Sequence, residues 1–569
     1  VSSGSGPRAG DADTPGTTTH TTHNDGWLRL DKRAVLVTAL VAAGVAWGVC
    51  VPVLLGLSGG TWLREGPLRG ARALLLLAAA VVFVLGGAAL EYVRWTRTRY
   101  RIGPERAELH SGLLLVKRRS LARERIRSVD LTAHPLLRVL GLVKVRIGTG
   151  EHTGGGESTL ELHPVSRAEG ERLRRELLAR PPEPARRAHP DGELAALDPR
   201  WIRYAPLSFV APLLGGAAAG GLMQVSEWFG AQDDVIDWVG DRFRDTPVLG
   251  VVLALAAAAL LAGVVGALGL WVEMWWNYRL EREPGGTLRV RRGLLTTRSV
   301  SIEERRLRGV ELVEPLGVRL CGAARVDAVA TGLAAAGDDR HADHKTLLPP
   351  APRPLADAVA AQVLREAGPP TGAPLTAHPR AARARRLRWA VGAATVPVLV
   401  LAVLGAALST VLLHAAVACA LLLPPLAVLL ALDAYRSLGH GTSGDYVVAR
   451  SGTVRRATVA LQRGGVIGWT VRQSYFQRRA GLVTLTATTA AGAGAYHVHD
   501  ADRSEGLTFA AAAVPGLLEP FLERAPGSVP DDAPGTDRTR RGPGTPASAG
   551  EPGPPQRDVT KRQETDGRS

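Results

Sequence analysis

The sequence predicts a membrane α-helical protein carrying three modules of short strands, each module closed by a helix. Three observations predict it. The 569-residue chain holds six runs of nearly pure Ala, Val, Leu and Gly, each close to the ~20 residues that cross a bilayer. A long polar block follows every second run. The blocks share one order of short motifs. An uncharged helix satisfies its own backbone in lipid, whereas a helix of a soluble core keeps one polar face. A chain of this length is expected to hold several domains. The net charge of +16 comes mostly from Arg and is partly a bias of composition, so it does not by itself point to nucleic acid. Cys50, Cys321 and Cys419 have no paired spacing and indicate neither a disulfide framework nor a zinc site.

In chain order, residues 1–30 form a Ser/Thr/Gly-rich tail, expected to be disordered, in which His20 and His23 read as solvated. The first pair of spans, within residues 31–93, comprises 34–57 and 73–90. The first of these reads as a retained span rather than a cleaved leader. Module one covers 94–182. Spans 206–225 and 248–272 form the second pair within 200–276, and module two covers 277–367. A basic linker, 368–388, leads to the third pair, 389–435, with a tight turn at Ser409 and Thr410. Module three covers 436–524, and a disordered tail covers 525–569. Arg29, Lys32 and Arg33 precede the first span, Arg94, Arg97, Arg99 and Arg101 follow the second, and Arg383, Arg385, Arg386 and Arg388 precede the fifth. The loop between spans three and four is acidic, with Asp233, Asp234 and Asp237. The positive-inside rule then puts both termini and all three modules in the cytoplasm. Arg64, Arg69 and Arg72 dissent mildly.

Within module one, Val143, Val145 and Ile147 alternate with Lys144 and Arg146, the period of a half-buried strand. Ser166 and Glu169 form a capping box for a helix over 166–180 with an apolar stripe of Leu173, Leu177 and Leu178. Module two repeats the order. Tyr278-Arg279-Leu280 matches Tyr100-Arg101-Ile102, Arg306-Leu307-Arg308-Gly309-Val310 matches Arg125-Ile126-Arg127-Ser128-Val129, and Glu314-Pro315-Leu316 parallels His134-Pro135-Leu136. A helix opened by Pro354 closes it. Module three is fainter. It starts at Tyr446, has Leu461-Gln462-Arg463 as the nearest counterpart of the Arg element, shares a Gly-Leu-Val core at 481–483, and takes 515–524 as its closing helix.

The Tyr-Arg start, the turn glycine, the Arg-Ile-Arg-Ser-Val element and the Leu-Gly-Leu-Val strand entry together resemble the YdbS/YdbT-type bacterial membrane proteins with pleckstrin-homology (PH)-like domains. The resemblance covers about residues 31–524. It implies six transmembrane helices in three pairs plus three cytoplasmic PH-like β-barrel or sheet modules, each closed by a C-terminal helix, in a bacterial plasma membrane. It also implies a loose role in envelope maintenance or stress tolerance.

Chemistry is sparse. The Gly-rich stretch at 148–156 lacks a P-loop ending. His497 and His499 share a strand face without further ligands, and His341 and His344 lie in a polar loop. His414 is the main ionisable group within the spans, which argues against proton-coupled transport. No catalytic residue, cofactor or metal is expected. The strongest local signal is basic: from Arg94 to Arg127 there are eleven Lys or Arg against three Glu. Cations beside a membrane are drawn to anionic lipid by about 1 kcal/mol each. Lys117, Arg118, Arg119, Arg123, Arg125 and Arg127 are the candidate surface for anionic lipid headgroups or for a protein partner, either another membrane protein or a second copy. Nucleic acid is not expected. The competing reading is a transporter, or a subunit of an export or lipid-handling assembly.

Overall fold

The computed structural model describes residues 27–54, 69–112, 117–126, 128–148, 159–178, 192–208, 210–228, 230–331 and 345–521. The chain begins with β1 (Leu28–Arg29), α1 (Ala34–Leu54) and α2 (Arg69–Arg97), the two helices packed along each other. Eight elements follow: β2 (Arg99–Ile102), β3 (Arg106–Ser111), β4 (Lys117–Ala122), β5 (Ser128–Ala133), α3 (Pro135–Val139), β6 (Leu142–Gly148), β7 (Thr159–Ser166) and α4 (Arg167–Leu178). A 3-10 turn, Arg123–Arg125, separates β4 from β5.

The second unit opens with β8 (Gly192–Ala196), a 3-10 segment Pro199–Leu207, and helices α5 (Val210–Trp228), α6 (Gln232–Arg242) and α7 (Val248–Trp275). It continues as β9 (Arg279–Glu283), β10 (Thr287–Arg292), β11 (Thr297–Glu303), β12 (Leu307–Pro315), α8 (Leu316–Leu320), β13 (Ala323–Ala330), β14 (Thr346–Pro352) and α9 (Arg353–Leu364). The third has helices α10 (Arg380–Leu408) and α11 (Thr410–Arg436). Then come β15 (Gly439–Ser443), β16 (Tyr446–Ser451), β17 (Arg455–Gln462), β18 (Val466–Arg472), α12 (Tyr475–Arg479), β19 (Leu482–Thr489), β20 (Ala495–Asp502) and α13 (Arg503–Ala513). The 3-10 turns Glu304–Arg306 and Arg463–Gly465 repeat the first one.

Among the described residues, five helices are long and apolar enough to cross a membrane, and a sixth span results if Pro199–Leu207 and α5, bent by 68°, are taken together. Their apolar side chains stand exposed, as at Leu74, Phe83, Leu249, Leu261 and Leu421, which is a surface for lipid rather than water. The turn between α10 and α11 falls at Ser409, whose hydroxyl accepts from the Val411 amide at 3.3 Å.

No unit closes its own sheet. The strand order is β1-β2-β3-β4 in the first sheet, β7-β6-β5-β11-β10-β9-β8 in the second, β14-β13-β12-β17-β16-β15 in the third and β18-β19-β20 in the fourth. The last three strands of one unit thus join the first three of the next, through β5 with β11 and β12 with β17. From Lys117 to Gly148 the units correspond without a gap: adding 181 or 340 to a residue number gives its counterpart in the second or third. The two joints share one register. Ala133 faces Thr297 and Leu131 faces Ser299 in the first; Glu314 faces Arg456 and Leu312 faces Thr458 in the second.

Four sequence expectations shift. The run expected at 206–225 starts later, because Pro206 and Leu207 belong to the 3-10 segment whose Trp201 and Tyr204 enter the core of the second unit. The closing helix of the third unit is α13, not 515–524; Asp502 caps it by accepting from the amides of Ser504 and Glu505. The capping box at Ser166 is half made: its hydroxyl accepts from the Glu169 amide, while the Glu169 carboxylate accepts from the Tyr100 hydroxyl. Finally, Glu314 is the counterpart of Ala133, not of His134. Matching proline to proline slips the repeat by one residue, because Pro135 is the first residue of α3 whereas Pro315 precedes α8. A one-residue slip moves a side chain to the other face of a sheet.

Candidate functional site

The β10–β11 hairpin is clamped to the last turn of α7. The Gly293 amide donates to the Trp276 carbonyl at 2.9 Å, and the Glu273 carboxylate accepts from the amides of Leu295 and Thr296, both at 2.9 Å. Gly293 sits at φ 112°, and a Cβ there would meet the Thr296 carbonyl, so the turn requires glycine. This clamp holds β9, β10 and β11 directly at the end of a long apolar helix. There they meet β5, α3 and the start of α4.

Between the two lies a cavity of about 320 Å³ lined by Arg138, Arg167, Arg279, Arg289, Arg291, Arg292 and Arg298, with Glu171 as its acidic side chain. Some of this charge is spent internally. Arg289 donates to Glu171 (2.6 Å), Glu283 (3.1 Å) and Ser299 (2.9 Å), and Arg174 holds Glu283 with both terminal nitrogens. Arg292 lies over the Trp275 ring at 4.4 Å, and Arg138 donates to the Leu294 carbonyl. The other guanidinium groups are crowded though not unpaired: Arg291 reaches Glu171 at 3.8 Å and Arg279 reaches Glu193 at 3.6 Å. Arg291 is directly opposite Arg279 across one strand pair, and Arg292 directly opposite Arg298 across the next. Like charges placed so are destabilising. Burial, with the neighbouring Arg289 guanidinium second, lowers the pKa of Arg291.

The second joint has the same place but fills it. The Glu314 carboxylate is buried there, accepting from Arg353 at 2.6 Å and from Arg456 at 2.7 and 2.8 Å. Arg353 opens α9 as Arg167 opens α4, and Arg450, the counterpart of Arg291, is depressed by its own burial and then by Arg456 and Arg353. The first joint has Ala133 where the second has Glu314. One joint therefore carries its own anion, and the other leaves a basic cavity.

The same position in the first unit is open. Arg29, Arg99, His110 and Arg118 face one another in register across β1 to β4, just beyond the end of α2. The three arginines are exposed, and Trp27 stacks on His110 with ring centroids 4.3 Å apart. The next row on that face is neutralised by an Arg101–Glu108 ion pair at 3.0 Å.

The structure separates the six basic residues picked from the sequence. Arg118 is exposed in the row just described. Arg119 is half-buried on the opposite face, and Arg123 donates to the Glu176 carbonyl near the end of α4. Lys117 and Arg125 are described by backbone alone, and Arg127 lies outside the described residues. The arginines of the cavity were not picked out, since they are brought together from segments more than a hundred residues apart. The repeat itself held the signal, in the pair Ala133 and Glu314.

Other candidates are structural. His378 and His440 are buried, with His440 Nδ1 3.1 Å from His378 Nε2 and His378 Nδ1 3.1 Å from the Asp500 carbonyl. The Asp500 carboxylate accepts from Arg385 at 2.6 Å, tying α10 to the third unit. An apolar groove between α10 and α11 is rimmed by Arg385 and Arg386, both turned to Asp500. His497 accompanies His499 at 5.3 Å between ring centroids and bonds Thr486. Among the described residues no three His, Cys, Asp or Glu side chains converge as a metal site. His341, His344 and most of 148–156 lie outside them.

Apolar helices long enough to cross a membrane, followed by antiparallel sheets, define a membrane protein with sheet modules. The Bacterial PH domain family matches residues 35–181 and 394–514. The chain is also similar to the UPF0699 transmembrane protein YdbT of Bacillus subtilis (strain 168), with 23% identity over 284 residues. That match takes in 48% of this chain and 56% of the relative's length. No solved structure matches.

Proposed function

We propose that the chain crosses a bacterial plasma membrane six times in three pairs, with both termini and three PH-like modules on the cytoplasmic side. We further propose that the cavity between the first two modules holds the phosphate of an anionic lipid headgroup. The role is binding, not catalysis. The observation that carries it is the set of seven arginines and one glutamate around a cavity at the foot of α7, at the place where the sister joint supplies Glu314. Guanidinium groups bind phosphate by charge-assisted, often paired hydrogen bonds. The open row Arg29, Arg99 and Arg118, with Lys117, Arg125 and Arg127 nearby in sequence, adds attraction to the same leaflet.

The test uses the full chain purified with native lipid and weighed by native mass spectrometry. Ala133→Glu places a carboxylate where Glu314 stands in the other joint. It should remove one bound phosphatidylglycerol per chain while leaving the fold intact. Arg167→Gln with Arg291→Gln should weaken binding by about a hundredfold or more, since hydrogen bonds to charged groups contribute about 1.5–3 kcal/mol each. Competition by inorganic phosphate but not by lipid would assign the cavity to a free anion. Unchanged lipid binding in both variants would sink the reading.

A further inference from the structure

In both joints, the strand after a 3-10 turn takes as its neighbour the strand before the corresponding turn of the next unit. Applied along the chain, that rule leaves two ends unmet. Among the described residues, β18, the fourth strand of the third unit, pairs with β19 alone, and β4, the third strand of the first unit, pairs with β3 alone.

The β18 edge is built like its buried counterparts, and β4 keeps their small residue at Ser120 while carrying Arg119 where Val300 and Val459 are buried. Leu131 and Leu312 are 6% and 0% exposed, whereas Val471 at the same position is 43% exposed. On the other side, Ser301 and Ala460 are fully buried while their counterpart Ser120 is exposed. β18 also leaves Ile467 exposed and has neither proline nor an inward charge to blunt it. A strand edge of that kind is a template for another strand.

We infer that β18 of one copy of this chain pairs, antiparallel, with β4 of a second copy, continuing between molecules the joint that is made twice within each. The shared register sets the partners: Gly468 opposite Leu121, Thr470 opposite Arg119 and Arg472 opposite Lys117. A second copy is the occupant because it supplies the strand of matching rank, β4, whose outer edge is unpaired among the described residues. Each internal step carries a helix pair along with its module, so the same step between molecules keeps the next copy in the same membrane. The contact is head-to-tail, so it closes as a ring or runs on as a row. The confrontation of Arg472 with Lys117 is no worse than Arg291 against Arg279, which the first joint already tolerates.

The inference stands apart from lipid binding, and its test reads a covalent bond. In the full chain with Cys50, Cys321 and Cys419 replaced by Ala, Thr470→Cys and Arg119→Cys are introduced on separate copies and co-reconstituted in liposomes. Oxidation should link the two kinds of copy into a dimer, link neither kind to itself, and give a ladder when both cysteines sit on one chain. Disulfide dimers of Thr470→Cys alone would mean that β18 pairs with itself and would overturn the assignment. Absence of any cross-link in protein that elutes as a folded species would do the same. A second readout needs no substitution. Hydrogen exchange at the amides of 466–472 in the wild-type chain should slow as its density in the membrane rises; exchange independent of density counts against the pairing.

Discussion

The two joints between modules share a backbone and differ in charge. The first, β5 with β11, leaves a cavity among arginines and is braced by side chains reaching out of α4: Arg174 to Glu283, and Glu171 to Arg289. The second, β12 with β17, runs through seven consecutive residue pairs and buries Glu314 between Arg353 and Arg456. Register is set by main-chain hydrogen bonds and by the alternation of faces, and it has survived in both copies. Electrostatics at a given position is carried by single side chains and has diverged. The repeat therefore preserves a way of joining while leaving the charge at each joint free to differ.

Several substitutions would break or sharpen this contrast. The largest effect is expected at Glu314→Gln, which takes the buried counter-charge away from the half-buried Arg456 and leaves Arg353 with Asp357 alone, at 3.4 Å. Loss of one partner of such a pair costs about 3–5 kcal/mol. Denaturant unfolding of the full chain in detergent should show it, with sulfate or phosphate restoring part of the loss. Gly309→Val comes next. A Cβ at Gly309 would lie 2.0 Å from the Ala460 carbonyl, and overpacking of this kind destabilises by about 1–3 kcal/mol. Hydrogen exchange should then rise in β12 and β17 while β5 and β11 stay protected.

A pH change should act on the first joint more gently. Burial raises the Asp130 carboxyl to about 7, with Arg146 opposing it in part. The folded chain therefore holds a proton that the unfolded chain releases at an ordinary carboxylate pKa. The stability this contributes is complete at low pH and is lost as pH rises through 7. Between pH 6 and 8 the loss is about 1 kcal/mol, and Asp130→Asn should flatten the profile. The counterpart Glu311 instead pairs with Arg455 at 2.9 Å. Smallest of all, Arg279→Ser removes the charge facing Arg291 together with an exposed ion pair to Glu193 at 3.6 Å, which contributes little, and should raise the melting temperature slightly. The expected gain is a few tenths of a kcal/mol, and it should reverse sign when anionic lipid is present.

Much of this fold was legible in the sequence. Apolar runs announce their helices because lipid removes the need for a polar face. The strand-then-helix order of each block follows from period-two patterning and from turn glycines such as Gly112 and Gly293. Partnership between strands was not legible. Alternation in Val143-Lys144-Val145 tells which face is buried, yet says nothing of whether the neighbouring strand comes from the same module or the next. The cavity was hidden for a related reason. Basic residues dense in sequence, such as Arg118 and Arg119, end on opposite faces of one strand, whereas Arg167 and Arg291 meet only because α4 and β10 do.

The exchange of half-sheets also sets a timetable. When Ala133 leaves the ribosome, the strand that will cover β5 ends at Glu303 and has not been made. At about 5–20 residues per second its synthesis takes roughly ten to thirty seconds. During that interval α5 and α7 are made as well, while a half-finished sheet waits with an uncovered edge. A chain so arranged is exposed to a holding chaperone, or to a neighbouring nascent copy, at a predictable moment of its birth.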